Sequence, residues 1–342
     1  MAIPKRTRLK PAPAQNFNRP WWSIETIHPN SHLIRLDDVG AGYERWIMLR
    51  SDAHHDNIHS LHDLEREHLE MARDRDAMIL DAGDIYCAMQ GRGDPRGSYD
   101  ALRPEHRTDK YLDALVSTAI DFYAPYARNF ALIGHGNHET KVIKHYGTDL
   151  VDRLAAGLRG HGGATLAGAY SGWVTLRFQI HQTINLRKVI RYYHGSGGGG
   201  PVTRGTIQTN RHAVNWPDAN IVFSGHTHDS WMVPIARERI NLNGEPYNDI
   251  AYHLRTPTYK DETSGGMGWA VERGLNPKPL GCWWLRLTYR HRGQIEIMPM
   301  PEHSAGPGLP QHAVPIDPNS PGGVPYFEMP AGYDSEGGEG DG

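Results

Sequence analysis

Short apolar runs that end in clusters of polar and glycine residues recur five times along the chain. The runs lie at 46–49, 77–80, 130–133, 189–193 and 221–223, and the clusters follow at 51–54, 81–84, 134–139, 194–195 and 224–228. Short, continuous apolar runs are typical of strands that are buried on both faces. The five clusters are therefore predicted to follow the carboxyl ends of five buried strands.

Helical spacing of apolar residues separates the first three runs. It extends over 59–75 and over 111–126, and a third helix is predicted from about 139 to 158. Further strand-like segments follow at 231–236, 249–254, 282–289 and 294–299. We predict an α/β fold in which the five buried strands form one sheet, the later segments form a second sheet packed on it, and helices flank this two-sheet β-sandwich. Ligands of such sheets bind at the carboxyl ends of the strands.

Both ends of the chain differ in composition from its body. Residues 1–20 hold five basic and no acidic residues, whereas 301–342 are rich in Pro and Gly and hold seven acidic and no basic residues. Such segments bury too little apolar surface to fold alone. We expect a flexible basic arm at 1–20, one domain at 21–300 and an acidic tail at 301–342. The 342-residue chain has a net charge of −3 and its 21–300 body one of −1, which excludes the basic footprint of an avid duplex-DNA binder but leaves a local basic groove open.

The chain contains few cysteines and many histidines. Two cysteines are too few for a disulfide framework or a thiolate zinc cage, and histidine occurs 21 times. A metal site would be built from imidazole, carboxylate and amide, which suits Mn, Zn, Fe or Ni. No apolar run approaches the roughly 20 residues that cross a bilayer, and the first residues lack the apolar core of a signal peptide. We expect a cytoplasmic protein with no membrane contact.

Metal-ligand side chains follow all five predicted strands. These seven side chains are Asp52, His54, Asp84, Asn137, His194, His226 and His228. One divalent ion, which takes about four to six ligands, would be oversupplied. Two ions that share a bridging carboxylate would use all seven. Such a pair, about 3.5–4 Å apart, activates water and holds a phosphoryl group for in-line displacement.

The order of these motifs resembles that of a known enzyme family. The series is Asp52-x-His54, Gly83-Asp84, Gly136-Asn137-His138-Glu139, His194-Gly195 and Gly225-His226-x-His228. It resembles the calcineurin-like metallophosphoesterases over roughly 46–230, which is about half of the chain. Asp-x-His alone is a weak signal, but Gly-Asn-His-Glu and Gly-His-Thr-His, each after an apolar run, are specific together. Glycine-rich motif loops and the acidic tail suggest a phage- or prophage-type member.

The resemblance implies a role for each motif residue. One metal would be held by Asp52, His54 and His228, and Asp84 would bridge both metals. The second metal would be held by Asn137, His194 and His226. A hydroxide shared by the two ions would attack phosphorus, and His138 would protonate the leaving oxygen or stabilise the transition state. Mn²⁺ is the expected ion, with Zn²⁺, Fe and Ni²⁺ as alternatives.

The sequence departs from the family pattern at one position. The pattern is commonly Gly-Asp-x-x-Asp, and its second Asp often orients the catalytic histidine, but here Cys87 stands in that place. Asp56 or Asp94 are candidates to replace that carboxylate. The arginine that follows this motif in protein Ser/Thr phosphatases is also absent, which disfavours a phosphoprotein substrate.

The predicted function is metal-dependent hydrolysis of phosphoesters, with a preference for phosphodiesters such as nucleotides or nucleic acids. A nuclease is one form of this hypothesis. The alternatives are a phosphomonoesterase, or a non-catalytic binding or scaffold protein on the same fold. Arg204 is the first candidate for a guanidinium that clamps phosphate, with three other arginines in competition. These are Arg92, Arg96 and Arg211.

Overall fold

The computed structural model of the protein describes residues 20–90, 99–181, 184–197, 206–263, 269–290 and 294–304. Its strands are β1 (Trp22–His28), β2 (Ser31–Leu36), β3 (Glu44–Arg50), β4 (Met78–Asp81), β5 (Phe130–Ile133), β6 (Leu166–Ala167), β7 (Ser171–His181), β8 (Ile184–Tyr193), β9 (Ile221–Ser224), β10 (Trp231–Ile240), β11 (Pro246–Arg255), β12 (Leu280–Arg290) and β13 (Gln294–Ser304). Its α-helices are α1 (His62–Asp74), α2 (Tyr111–Tyr123), α3 (Asn137–Tyr146), α4 (Leu150–Gly160), α5 (Thr206–Asn215) and α6 (Trp269–Glu272).

The strands form two mixed sheets. Sheet A has the order β1-β2-β7-β8-β9-β11-β10, and sheet B has the order β13-β12-β3-β4-β5-β6. In sheet B, β3, β4 and β5 are parallel neighbours, and in sheet A, β8 and β9 are parallel neighbours. The carboxyl ends of neighbouring parallel strands lie at the same edge of a sheet. In each sheet, the loops that follow these parallel strands therefore lie at the same edge.

Apolar side chains from both sheets share one core. Ile47 and Leu80 of sheet B belong to the same fully buried cluster as Val174, Ile190 and Phe223 of sheet A. Successive residues of a strand face opposite sides of a sheet. The two inner faces therefore supply this core, as in a β-sandwich.

Helices cover the outer face of sheet B. Met48 and Ile79, which alternate with the residues of the inner core, form a second buried cluster with Leu69 of α1, Leu115 of α2 and Leu154 of α4. On sheet A, the ring of Tyr193 contacts that of His212 in α5, with centroids 5.7 Å apart. The predicted fold class, a two-sheet β-sandwich flanked by helices, is confirmed.

The assignment of strands to sheets differs from the prediction. The five apolar runs are divided between the sheets, because β3, β4 and β5 belong to sheet B and β8 and β9 to sheet A. The later segments do not form a sheet of their own. β12 pairs antiparallel with β3, and β11 pairs parallel with β9. An apolar run indicates that a strand is buried, but it does not specify which strand lies beside it.

The predicted third helix is two helices. Gly147 has a φ of 67° and lies just after α3, so the chain leaves the helix in a left-handed conformation. The Asp149 carboxylate then accepts hydrogen bonds from the backbone N–H groups of Val151 and Asp152, both 3.0 Å long, and caps α4. The prediction of a single helix from about 139 to 158 was wrong, because it missed this break.

Parts of the predicted ends lie outside the described residues. These are 1–19 of the basic arm and 305–342 of the acidic tail. Strand β13 extends to Ser304 and so includes the first four residues of the predicted tail. None of the helices in the described ranges is long and apolar enough to cross a membrane.

Candidate metal centre

The seven predicted ligands lie beyond the ends of five strands, as the apolar runs indicated. Those from sheet B are Asp52 and His54 after β3, Asp84 after β4, and Asn137 beyond β5, where it begins α3. Those from sheet A are His194 after β8 and His226 and His228 after β9. Two sheets thus contribute to one site.

Asp52, His54 and His228 form one group of potential ligand atoms. The Nε2 atoms of His54 and His228 are 3.2 Å apart, and Nε2 of His228 is 3.4 Å from the Asp52 carboxylate. The three ligand atoms lie within 4.8 Å of one another, so they could hold one ion. Asp52 and His54 are buried.

A second group contains Asp84, His194 and His226, again within 4.8 Å. Nε2 of His194 is 3.1 Å from the Asp84 carboxylate and 3.1 Å from Oδ1 of Asn137. The other ring nitrogen of His194, Nδ1, donates to the Ala82 carbonyl at 3.0 Å. This bond fixes the tautomer that leaves an Nε2 lone pair for a metal.

Asp84 also belongs to a third group, with His54 and His138. Its carboxylate lies 3.7 Å from Nε2 of His138, and the His54 and His138 rings meet edge to face with centroids 5.1 Å apart. Asp84 is therefore common to the group around His194 and to a group that includes His54. Its role as a bridging carboxylate stays a prediction.

Main-chain hydrogen bonds join the loops that carry these side chains. Asp52 N–H donates to the Gly83 carbonyl at 2.9 Å, and His54 N–H donates to the Asp84 carbonyl at 3.1 Å. Gly225 N–H donates to the His194 carbonyl at 2.8 Å. The pairing of β3 with β4 and of β8 with β9 thus continues into the site and sets the spacing of the ligands.

Strained backbone is concentrated at the candidate ligands. Left-handed φ values occur at eight non-glycine residues of the described ranges, and five are candidate ligands. These five are Asp52 at 56°, His54 at 49°, Asp84 at 56°, His226 at 77° and His228 at 59°. Such conformations cost on the order of 1 kcal/mol each and persist where the surroundings enforce them, which is typical of functional sites.

Burial and neighbouring charges shift the pKa values of the site. Burial lowers the pKa of His54 well below its ordinary value, which keeps that imidazole neutral, as a metal ligand must be. Burial alone would raise the pKa of Asp84, but His194 and His138 hold it well below its usual range. In turn, the Asp84 carboxylate outweighs burial and raises the pKa of His194 to about 10. A cation that binds here would displace a proton from His194.

The donor set fits divalent cations. Each of the three groups combines a carboxylate oxygen with two imidazole nitrogens, and none of them contains a thiolate. Both cysteines are buried, and burial raises their pKa values to about 12, so they stay protonated thiols. Oxygen and imidazole ligands suit Mn, Zn, Fe or Ni.

Two further residues of the site were not predicted as functional. The buried Glu139 carboxylate accepts the N–H groups of Asp84, Tyr86 and Gly136 at 3.1, 2.9 and 2.8 Å and so ties the β4 loop to the start of α3. Lys260 is buried, forms an ion pair with Glu262 and helps to lower the pKa of His54. A signal for Lys260 existed, because it belongs to a polar cluster that follows a strand.

Three of the four arginine candidates lie outside the described residues. Arg204, Arg92 and Arg96 lie outside the described residues, as does Asp94. Arg211 is exposed on α5. The role of Arg204 as a phosphate clamp therefore stays a prediction.

A cavity of about 600 Å³ lies next to the site rather than in it. Its lining residues include Gln90, Arg107, Lys110, Tyr111 and Tyr146, and none of the candidate ligands is among them. The hydroxyl of Tyr111 donates to the Asp56 carboxylate at 2.8 Å, which links the cavity wall to the loop after β3.

Comparisons with known proteins found likenesses of structure. No protein-family model and no curated protein matches the sequence. A Streptococcus pneumoniae protein described as a predicted phosphoesterase is 11% identical over 75% of this chain and 100% of that chain, with a TM-score of 0.28. A calcineurin-like phosphoesterase from Bacillus subtilis is 11% identical over 74% and 88%, with a TM-score of 0.32. The anchor protein of the Plasmodium inner membrane complex is 9% identical over 77% and 90%, with a TM-score of 0.35.

These likenesses are too distant to carry an argument about this chain. The first two proteins are described as phosphoesterases, and these descriptions apply to those proteins alone. None of the three is described as a phage protein, so the expected phage- or prophage-type origin stays a prediction.

Proposed function

We propose that the chain is a binuclear metal-dependent phosphoesterase of the calcineurin-like kind. The observation that carries this proposal is the convergence of seven oxygen and nitrogen donors from two sheets. Six of them belong to overlapping ligand groups, two of which share Asp84, and Asn137 contacts His194. One group of Asp52, His54 and His228 would hold one ion, and His194, His226 and Asn137 would hold the other. Two bound divalent ions would activate water and hold a phosphoryl group between them.

The residues of the chain would supply the remaining chemistry. Asp84 is held in its ionised form and lies between the ligand groups, so it is suited to bridge two cations. His138 has its Nε2 atom 3.7 Å from the Asp84 carboxylate, and this nitrogen would hold the proton that the leaving oxygen receives. We propose Mn²⁺ as the ion, with Zn²⁺, Fe and Ni²⁺ as the alternatives that oxygen and imidazole donors also suit.

We propose a preference for phosphodiesters over phosphomonoesters. The sequence lacks the arginine of the protein phosphatases and carries the Gly225-His226-x-His228 ligand pair, which resembles that of family nucleases and cyclic-nucleotide phosphodiesterases. Nucleotides and nucleic acids are the substrate classes to test first.

The test compares two chromogenic esters. Protein is stripped of metal and reloaded with Mn²⁺, and hydrolysis of bis-(p-nitrophenyl) phosphate and of p-nitrophenyl phosphate is followed, with Asp84→Asn beside the wild type. We expect two ions bound per chain, faster cleavage of the diester, and loss of at least 100-fold in kcat in the variant. The exposed Asp63 of α1 offers a matched control, Asp63→Asn, which should keep both activity and metal content.

Each other result has a defined meaning. Faster cleavage of the monoester would mean that the chain is a phosphatase rather than a phosphodiesterase. Fewer than two bound ions together with no turnover of either ester would refute the proposed function and leave a binding protein on this fold.

A further inference from the structure

The side chain of His138 is held by a main-chain carbonyl. Its Nδ1–H donates to the Cys87 carbonyl oxygen at 2.5 Å, while Nε2 faces Asp84. Cys87 stands where the family pattern commonly has its second aspartate. A peptide oxygen therefore accepts the hydrogen bond that a carboxylate would otherwise accept.

The peptide group that holds His138 is itself anchored by Asp56. The Cys87 carbonyl and the Ala88 N–H belong to the same peptide unit, and that N–H donates to Oδ2 of Asp56 at 3.0 Å. In a trans peptide the N–H and C=O bonds point in opposite directions, and none of the described peptide bonds is cis. Anchoring the N–H on Asp56 therefore turns the carbonyl towards His138.

Further hydrogen bonds fix the Asp56 carboxylate and the turn it holds. Oδ1 accepts Cys87 N–H at 2.6 Å, and Oδ2 also accepts the Tyr111 hydroxyl at 2.8 Å. Asp56 is 1% exposed, so water does not compete for these bonds. Ala88 has a left-handed φ of 46°, a conformation that alanine adopts only when its surroundings enforce it.

We infer that Asp56 is the positioning residue for His138 and acts on it through the 87–88 peptide group. The inference rests on the proposed function. Charge-assisted bonding at one end of a peptide unit polarises the other end, so the carboxylate strengthens the carbonyl as an acceptor for the Nδ1–H of His138. The same chain of bonds keeps the proton of neutral His138 on Nδ1, which leaves Nε2 free to take up and deliver the proton for the leaving oxygen.

The first test uses the leaving group. Asp56→Asn is compared with the wild type on methyl aryl phosphates whose leaving groups range from p-nitrophenol to unsubstituted phenol. A poor leaving group needs protonation, and general-acid catalysis is worth about 100-fold or more. We expect kcat for the phenyl ester to fall about 100-fold, kcat for the p-nitrophenyl ester to fall only several-fold, and KM and the two-ion stoichiometry to be unchanged.

The alternatives give different patterns. If Asp56 only stabilises the fold, both esters lose activity by the same factor, which would overturn the inference. His138→Ala should show the same leaving-group dependence, and Asp63→Asn on the exposed face of α1 should show none. Absence of turnover in the wild type with every ester would count against the proposed function rather than against the position of Asp56.

The second test needs no activity, and its deciding measurement is made on the wild type. Nitrogen-15 spectra of labelled histidine report which ring nitrogen carries the proton, and His138→Gln identifies the signal of His138. We expect the Nδ1–H tautomer in neutral His138 of the wild type and a mixture of tautomers in Asp56→Asn. A wild-type His138 that carries its proton on Nε2 would overturn the inference, whatever the kinetics.

Discussion

The glycine of the Gly225-His226-x-His228 motif leaves room for a carboxylate. A Cβ atom at Gly225 would lie 2.2 Å from Oδ2 of Asp52 and 2.2 Å from Oγ of Ser51. The Asp52 carboxylate in turn accepts the backbone N–H of His226 at 2.9 Å. Glycine is therefore needed here for close approach of the two ligand loops, rather than for flexibility.

We predict that Gly225→Ala weakens metal binding without unfolding the protein. The added methyl group would push Asp52 away from its position beside His228, and displaced ligand contacts typically cost about 10–100-fold in metal affinity. Titration with Mn²⁺ followed by metal analysis measures the loss. Gly160→Ala, at a position with nothing within 4 Å of the added atom, is the control and should bind metal normally. Wild-type affinity in Gly225→Ala would contradict this explanation of the motif glycine.

The seven donors could be predicted from the sequence, whereas the carboxylate that supports His138 could only be narrowed to two candidates, Asp56 and Asp94. Motif residues such as Asp84 lie within four residues of the end of a strand, so a strand end positions each of them. Asp56 acts through peptide N–H groups 31 and 32 residues away, which depend on the course of two loops. Periodicity carries no information about that course.

At the level of elements, α4 depends on a single cap. Asp149 accepts two backbone N–H bonds at the start of the helix, and its carboxylate also accepts a hydrogen bond from Nε2 of His135 at 2.8 Å. Burial lowers the pKa of His135, but Asp149 outweighs this and raises it. The pKa of Asp149 is lowered, because its bonds to His135 and to the helix N–H groups outweigh burial.

We predict that Asp149→Ala destabilises the protein by about 1–2 kcal/mol, whereas Asp149→Asn, which keeps the cap, costs less. The ion pair stabilises the folded protein below the ordinary histidine pKa of 6.5, and this stability is lost as the pH rises through the raised pKa of His135. On the acidic side it is lost as the pH falls below the ordinary aspartate pKa of 3.8. The difference between wild type and Asp149→Asn should therefore be largest between about pH 4 and 6.5 and smaller at pH 9.

Thermal unfolding in the presence of a chelator measures these differences, because metal loading then does not vary between samples. Midpoints of both Asp149 variants equal to that of the wild type at all pH values would show that neither the cap nor the ion pair contributes.

The strands and helices themselves could be predicted better than the pairing of the strands. All five apolar runs are strands, and α1 and α2 lie within the predicted helical ranges. The pairing of β12 with β3 joins residues more than 200 positions apart, and strand pairing at such separation depends on the packing of the whole domain. The break between α3 and α4 did have a local signal, since Gly147 and Asp149 are a helix stop and a helix start.

At the scale of the whole molecule, the site joins the two sheets. Sheet B contributes Asp52, His54, Asp84 and Asn137, and sheet A contributes His194, His226 and His228. The ligand groups are complete only when the sheets are packed on their shared core, since Asp52 and His54 face His228, and Asp84 faces His194 and His226. Unfolding of either sheet would therefore disperse both proposed metal sites.

We predict from this arrangement that metal ions stabilise the whole molecule in one transition. A ligand that binds only the folded state stabilises it by about 2.7 kcal/mol at a concentration 100 times its dissociation constant. For a protein of this size that amounts to a rise of several degrees in the unfolding midpoint. Thermal unfolding with Mn²⁺ and with a chelator, followed by far-ultraviolet circular dichroism and by tryptophan fluorescence, should give coincident transitions that shift together. Asp84→Asn should lose most of the shift, because it removes the carboxylate common to two ligand groups. Two bound ions with the same affinity in the wild type and in Asp84→Asn would mean that the ions bind elsewhere, and the assignment of these seven ligands would then be wrong.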